Sequence, residues 1–140
     1  TVCDHCKLAE RAPTGVTMVD RILIRSYPRY LAEQSVPDQA NFSFGYTIEI
    51  ENQGNRQVQL LERHWFITDA NGQRTEVQGV GVVGEQPFIN PGECYAYQSG
   101  VQLKTPLGFM QGSYTFQDES GELFYIDIPL FTLAIPHLIH

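Results

Sequence analysis

Hydrophobic and polar residues alternate along much of this chain, and this alternation predicts β-strands. In the clearest run, residues 42–51, aromatic and aliphatic residues at even positions are separated by small or polar residues at odd positions. Successive side chains of a strand point to opposite faces of a sheet, so one face of this strand should be apolar and the other polar. No amphipathic helical stretch of useful length is present.

Turn sequences divide the same alternation into seven or eight short strands. Besides 42–51, the predicted strands are 22–33, 58–68, 74–78, 94–99, 108–117 and 123–128, with a last strand or edge after Pro129. Pro28 confines the first strand to a sheet edge or a bulge, because proline has no N–H to donate to a neighbouring strand. Short strands separated by regular turn signals predict an all-β fold, an antiparallel sandwich.

Several side chains are assigned to the interior of this sandwich. Trp65 and Ile67 are expected to point into the core, and Met110, Tyr114 and Phe116 lie in register around Gly112. Cys94 begins an alternating strand directly after a turn, so its thiol is expected to be packed.

Length and composition favour one domain with its own core. The chain has 140 residues, of which 42% are hydrophobic, enough for a single buried core. Residues 1–21 are polar and lack sustained periodicity, so we expect a mobile N-terminal extension before a sandwich domain at 22–140.

Charge and cysteine content narrow the possible partners and compartments. The formal net charge is −7, which argues against nucleic acid or an anionic membrane as partner, since both require a positive surface. Three cysteines are an odd number that does not form a disulfide framework and suits a reducing compartment. These features predict a cytoplasmic protein.

A glycine motif of the G-x-G-x-x-G type is formed by Gly79, Gly81 and Gly84. Such a motif binds dinucleotides when a helix follows, because the helix N-terminus presents free N–H groups to the phosphates. Pro87 and Pro91 exclude that helix here. Two interpretations stay open: a small anion nest of backbone N–H groups, or glycines required by positive φ angles or a close chain crossing.

Several separate sequence blocks resemble one known family. In order they are VQLL (58–61), HWFITD (64–69), EVQGVGVVGEQP (76–87), YQSG (97–100), TPLG (105–108), MQGSY (110–114) and AIPHLIH (134–140). Together they resemble the bacterial ApaG proteins, also called CorD, from about Ile22 to the last residue.

This resemblance implies both a fold and a setting. It implies an immunoglobulin-like or fibronectin type III-like sandwich, and an association with cobalt resistance and magnesium/cobalt efflux. Related domains in eukaryotic F-box and polymerase-delta-interacting proteins resemble adaptor modules. The family's glycine motif implies pyrophosphate or nucleotide contact at Gly79, Gly81 and Gly84.

Three other groups of residues are candidates for metal or acid–base chemistry. Cys3 and Cys6, with His5 between them, have the spacing of half a zinc site, but a closed site needs four ligands. His64 is expected to face outward as part of an exposed stripe, because the adjacent Trp65 faces inward. The acids Asp118, Glu119 and Glu122 lie at a turn, where they suit turn formation and at most weak binding of Ca²⁺ or Mg²⁺.

The sequence therefore predicts a non-enzymatic binding module without a catalytic residue, resident metal or cofactor. Its expected partner is an unidentified protein, contacted through loops and sheet edges, and a homodimer is possible. Two alternatives stay open: a nucleotide or pyrophosphate sensor acting through the glycine-rich loop, and a direct binder of divalent metal.

Overall fold

The computed structural model describes residues 15–19 and 21–136, which form nine antiparallel strands and two single-turn 3₁₀ helices. The strands are β1 (Gly15–Val19), β2 (Ile22–Tyr30), β3 (Phe42–Asn52), β4 (Val58–Asp69), β5 (Arg74–Val80), β6 (Phe88–Ile89), β7 (Cys94–Leu103), β8 (Leu107–Asp118) and β9 (Leu123–Ala134). The 3₁₀ helices, Ala32–Gln34 and Pro37–Gln39, connect β2 to β3. No α-helix occurs among the described residues, as the period-two pattern predicts.

The strands form two sheets that enclose one core. The first sheet has the order β1-β2-β3-β7, and the second has the order β5-β4-β8-β9, with β6 paired to the beginning of β4. Every pairing is antiparallel. The predicted all-β sandwich is confirmed, with nine strands where seven or eight were expected.

Aromatic side chains dominate the space between the sheets. Trp65 is buried, as predicted, and contacts the rings of Tyr46, Tyr114 and Phe131 at centroid distances of 5.6, 6.2 and 5.8 Å. Edge-on and tilted aromatic pairs of this kind stabilise a core by about 0.5–1.5 kcal/mol each beyond their burial. Met110 is buried on the same inner face, which confirms its predicted register.

Both faces of β3 are buried, although only one is apolar. Glu49 and Glu51 are 1% and 5% exposed on the outer face. Arg25 of β2 lies between them, with Nε 2.6 Å from Glu49 Oε1 and Nη2 3.0 Å from Glu51 Oε1. A buried carboxylate requires such a partner, so this cluster connects β2 to β3.

The structure corrects one predicted strand boundary, which lies next to Pro129. The sequence predicts that the strand beginning at 123 ends near Ile128, but β9 continues through Pro129 to Ala134. Its pairing with β8 shifts between Met110 and Gly112, which leaves an irregularity opposite Pro129. Because β9 is an edge strand and the ladder is interrupted there, the missing proline N–H is tolerated.

The N-terminal boundary also differs from the prediction. Gly15–Val19 form β1, which pairs with β2 over five positions. Strand pairing therefore begins before residue 22, within the segment predicted as an extension. Residues 1–14 and 20 of that segment lie outside the described residues.

Candidate functional site

The glycine-rich segment folds into a tight two-residue turn. Val82 N donates to Glu85 O at 2.8 Å, and Glu85 N donates to Val82 O at 2.9 Å. The two central residues, Val83 and Gly84, have φ angles of 42° and 82°. Positive φ at both positions is typical of a type I′ turn. The strand β6 follows this turn, which confirms that the motif does not open a nucleotide-binding helix.

Each glycine of the motif has a local structural reason. A Cβ on Gly79 would lie 2.6 Å from Arg63 Nη1, because Arg63 pairs with Gly79 across β4 and β5. Gly81 has a φ of 68°, and a Cβ there would lie 2.1 Å from Glu85 O. Gly84 also has a positive φ but faces open space. Positive φ accounts for Gly81 and Gly84, close approach accounts for Gly79 and Gly81, and phosphate contact stays a prediction.

Much of the loop's hydrogen-bonding capacity is used internally. Gly81 N donates to Leu61 O at 2.7 Å, in addition to the two turn hydrogen bonds of Val82 and Glu85. Arg63 Nη1 donates to Gly81 O at 2.8 Å. An anion nest requires N–H groups that converge on the ligand, so these hydrogen bonds reduce the number of donors available to a phosphate.

Side chains on both sheets hold the loop in place. Val82 is fully buried beneath the turn. Gln86 Nε2 donates to Leu61 O at 3.0 Å, and Tyr95 of β7 donates its hydroxyl to Glu85 Oε1 at 2.8 Å. Burial and this hydrogen bond raise the pKa of Tyr95 to about 12. The loop therefore joins the two sheets in a defined conformation before any partner binds.

Exposed hydrophobic side chains lie on and beside this loop and across the outer face of the second sheet. Val80 is 67% exposed, Phe88 61%, Val83 54%, Leu123 51% and Tyr125 68%. Cross-strand pairing connects four of them in two rows, and the fifth, Val83, lies at the turn of the loop. One row is Phe88, Gln59, Gln117, Leu123, and the other is Val80, Glu62, Thr115, Tyr125. We call these five hydrophobic residues, with the polar strip between them, the recognition face.

A groove of about 550 Å³ lies in the polar strip of the recognition face. Its lining includes Glu62, His64, Gln78, Thr115 and Tyr125. These side chains supply hydrogen-bond donors and acceptors between the two hydrophobic edges. The glycines could be assigned from the sequence but this face could not, because its residues come from a loop and five strands that only the sheet brings together.

His64 faces outward as predicted, but it is not an isolated surface residue. Its Nε2 lies 2.6 Å from Glu76 Oε2, and its ring lies 4.5 Å from the Phe66 ring. The side chain is only 29% exposed. The outward orientation is as predicted, and the exposure is reduced because β5 pairs with β4 and places Glu76 next to the imidazole.

The other candidate metal residues do not assemble into a site within the described residues. Asp118 Oδ1 accepts hydrogen bonds from Ser120 N, Ser120 Oγ and Glu122 N. The Ser120 hydrogen bond contributes most to lowering the pKa of Asp118. Glu119 Oε1 accepts from Gln57 N at 2.8 Å. The Asp118 carboxylate therefore stabilises the turn, in agreement with the expected turn chemistry, and Glu119 connects the turn to Gln57.

Of the three cysteines, Cys94 lies within the described residues. Cys94 is buried, in agreement with the prediction of a packed thiol. Cys3, His5 and Cys6 lie outside the described residues. Within 15–19 and 21–136, no group of three or more His, Cys, Asp or Glu side chains is placed to hold a metal ion, and no helix there is long and apolar enough to cross a bilayer.

Comparison with known proteins gives one consistent match. Residues 32–118 match the ApaG domain. The chain is 54% identical to Protein ApaG of Escherichia coli and 51% identical to Protein ApaG of Pectobacterium carotovorum, in each case over 86% of this chain and 96% of the relative. A crystal structure from Bordetella pertussis superimposes with a TM-score of 0.81 at 41% identity, covering 89% of this chain and 98% of that one.

Proposed function

The chain belongs to the ApaG family, and from this premise we propose that it is a non-enzymatic accessory module that binds another protein through the recognition face. The observation that carries this proposal is the exposure of five large hydrophobic side chains on one side of the second sheet and its loop. These side chains lie on the two sides of a polar strip, and exposed hydrophobic patches bordered by polar residues are typical of protein interaction sites.

The composition of the recognition face suits a protein partner. Phe88 and Tyr125 are aromatic residues of the kind that contribute most to binding energy in protein interfaces. The polar strip between them supplies groups that fix the orientation of a bound partner. The setting implied by the family resemblance is cobalt resistance and magnesium/cobalt efflux, so we look for the partner among proteins of divalent-metal homeostasis.

The anchored loop favours binding without a large entropy cost. Val82 is buried, and Arg63 and Gln86 donate hydrogen bonds to backbone carbonyls of the loop and of β4. A surface that is ordered before binding loses less conformational freedom when the partner arrives. Val83 and Phe88 are therefore presented at nearly fixed positions.

The test is site-specific photo-crosslinking in cells of the source organism. A crosslinking amino acid at position 88 or 125 should capture the same partner, and one at Val36 should not. Val36 is a suitable control because it is 42% exposed and lies between the two 3₁₀ helices. With the purified partner, Phe88→Ser and Tyr125→Ser should each weaken binding by roughly tenfold or more, and Val36→Ser should leave it unchanged. Equal capture at all three positions would argue against the recognition face.

A ligand panel addresses the two alternative functions. Pyrophosphate, ATP, diadenosine tetraphosphate, Mg²⁺ and Co²⁺ should each leave the melting temperature unchanged. A ligand at one hundred times its Kd would instead stabilise the protein by about 2.7 kcal/mol. Any positive result is checked with Gly84→Asn. Gly84 faces open space and asparagine tolerates positive φ, so this variant changes the glycine motif while keeping the conformation of the turn.

A further inference from the structure

The two sheets have five edge strands among the described residues, since β5 and β6 pair with the same side of β4, and four of the five carry features that oppose pairing with another chain. β9 contains Pro129 at an irregularity of its ladder. β5 carries the exposed charges of Arg74 and Glu76. β1 is only five residues long and β6 only two. Proline, charge, irregular pairing and short length are the usual means by which proteins block edge-to-edge association.

β7 has none of these features. It is ten residues long, contains no charged residue and no proline, and pairs with β3 without a shift over its whole length. Among the strands that the structure describes, β7 pairs with β3 alone. Its outer edge from Tyr95 to Leu103 therefore offers backbone N–H and C=O groups to an added strand. Gln98, Gly100 and Gln102 are exposed along this edge.

The charges around β7 indicate which strand would fit. Two copies of a chain with a net charge of −7 repel each other, so a contact between them is favoured where no carboxylate lies. β7 itself carries no charge, and the charged group at its midpoint is the Arg29 guanidinium of β2, whose Nη2 donates to Gln98 Oε1 at 3.3 Å. Glu93 directly precedes β7 and Lys104 directly follows it, and both are exposed. In an antiparallel pair of identical strands, the beginning of each strand lies near the end of the other. Glu93 of each copy would then lie near Lys104 of the other.

We propose that β7 is a self-association edge, at which a second copy of this chain adds its own β7 antiparallel about a twofold axis. The two first sheets then form one continuous eight-stranded sheet. The Glu93 and Lys104 side chains form two symmetric pairs at its ends and fix the antiparallel orientation. This contact uses the first sheet and leaves the recognition face, on the second sheet, available to its own partner.

The first test is sedimentation equilibrium of the full chain from micromolar to millimolar concentration. The expected result is a reversible monomer–dimer equilibrium. Gln98→Lys adds a cation beside Arg29, which donates to Gln98 Oε1, and so places like charges of both copies near the twofold axis. It should weaken the dimer by at least tenfold while the circular dichroism spectrum of the monomer stays unchanged. Gln78→Lys makes the same change at an exposed position of β5 and should have no effect. A chain that stays monomeric throughout, or a dimer that tolerates Gln98→Lys, would overturn the proposal.

A charge exchange tests the orientation of the two strands. Glu93→Lys alone and Lys104→Glu alone should each weaken the dimer by roughly two- to thirtyfold, as expected for two exposed ion pairs. The double variant restores both pairs and the original net charge, so its dimerisation should return to that of the unmodified chain. Circular dichroism of all variants checks the fold, since Glu93 Oε1 also accepts a hydrogen bond from Asn90 N. Failure of the double variant to recover would exclude the antiparallel arrangement.

Discussion

At the scale of single residues, Val83 occupies a conformation that its side chain disfavours. Its φ is 42°, in the left-handed region, where a β-branched residue is rare. The strain costs about 1–2 kcal/mol, and the side chain is 54% exposed, so burial does not offset this cost. Strained residues that persist on a surface are concentrated at functional sites, which agrees with the place of Val83 in the recognition face.

Replacing Val83 separates stability from binding. Val83→Asn puts asparagine before Gly84, the pair preferred in a type I′ turn, and should increase the free energy of unfolding by about 1 kcal/mol. The same change removes an exposed hydrophobic side chain and should weaken partner binding. Urea denaturation measures the first effect. Val80→Asn, a change within a strand, is the control and should not stabilise the protein. If Val83→Asn is less stable than the original protein, the backbone at Val83 is not strained.

At the scale of elements, an ionic cluster connects β2 to β3. Burial opposes the charge of Arg25, but its hydrogen bonds to Glu49 and Glu51 outweigh this cost and raise the pKa of the guanidinium. Tyr27 also donates its hydroxyl to Glu49 Oε1 at 3.1 Å. Because both carboxylates are buried, their negative charges must be compensated within the folded protein, and Arg25 supplies the compensating cation.

Removal of Arg25 should therefore be strongly destabilising. Arg25→Met leaves two buried carboxylates without their cation, and the free energy of unfolding should fall by about 3–5 kcal/mol. Arg56→Met is the matched control. Its ion pair with Asp118 spans 3.9 Å and its side chain is 64% exposed, so the loss should be below about 1 kcal/mol. Similar losses in the two variants, measured by urea denaturation, would show that the cluster does not stabilise the sheet.

At the scale of the whole molecule, buried tyrosine hydroxyls connect the two sheets. The hydroxyls of Tyr97 on β7 and Tyr114 on β8 are hydrogen-bonded to each other inside the core. Burial raises the pKa of Tyr114 well above 10, and it also raises the pKa values of Tyr97 and Tyr46. The core therefore accommodates these side chains in their neutral form.

These shifts predict a loss of stability in alkali. An unfolded tyrosine ionises near pH 10, whereas the folded protein keeps these three protonated at higher pH. The stability that these neutral tyrosines contribute is fully present below about pH 10. Above that pH the free energy of unfolding falls by about 1.4 kcal/mol per pH unit for each tyrosine that stays protonated in the folded protein. Urea denaturation between pH 8 and 11.5 measures this slope. The Tyr97→Phe/Tyr114→Phe variant should show a clearly shallower decline, and an unchanged slope would contradict the assignment.

The strands and the inward residues could be predicted from the sequence because they depend on local order. Alternation decides which side chains of a strand share a face. Trp65 was therefore placed correctly in the core, and Met110 and Tyr114 were placed correctly on one face of their strand. Pro87 and Pro91 excluded a helix after Gly84 for an equally local reason, the fixed φ and missing N–H of proline. By itself, the sequence thus determined the all-β sandwich and the absence of a nucleotide-binding helix.

Only the tertiary structure decided which distant residues meet. Arg25 and Glu49 are 24 positions apart, and Glu76 reaches His64 only because β5 pairs with β4. The recognition face takes its residues from the loop and both edges of a sheet. The free edge of β7 likewise depends on its place at the end of the sheet order. Strand pairing is set by the combined packing of both sheets, and no local pattern in the sequence carries that information.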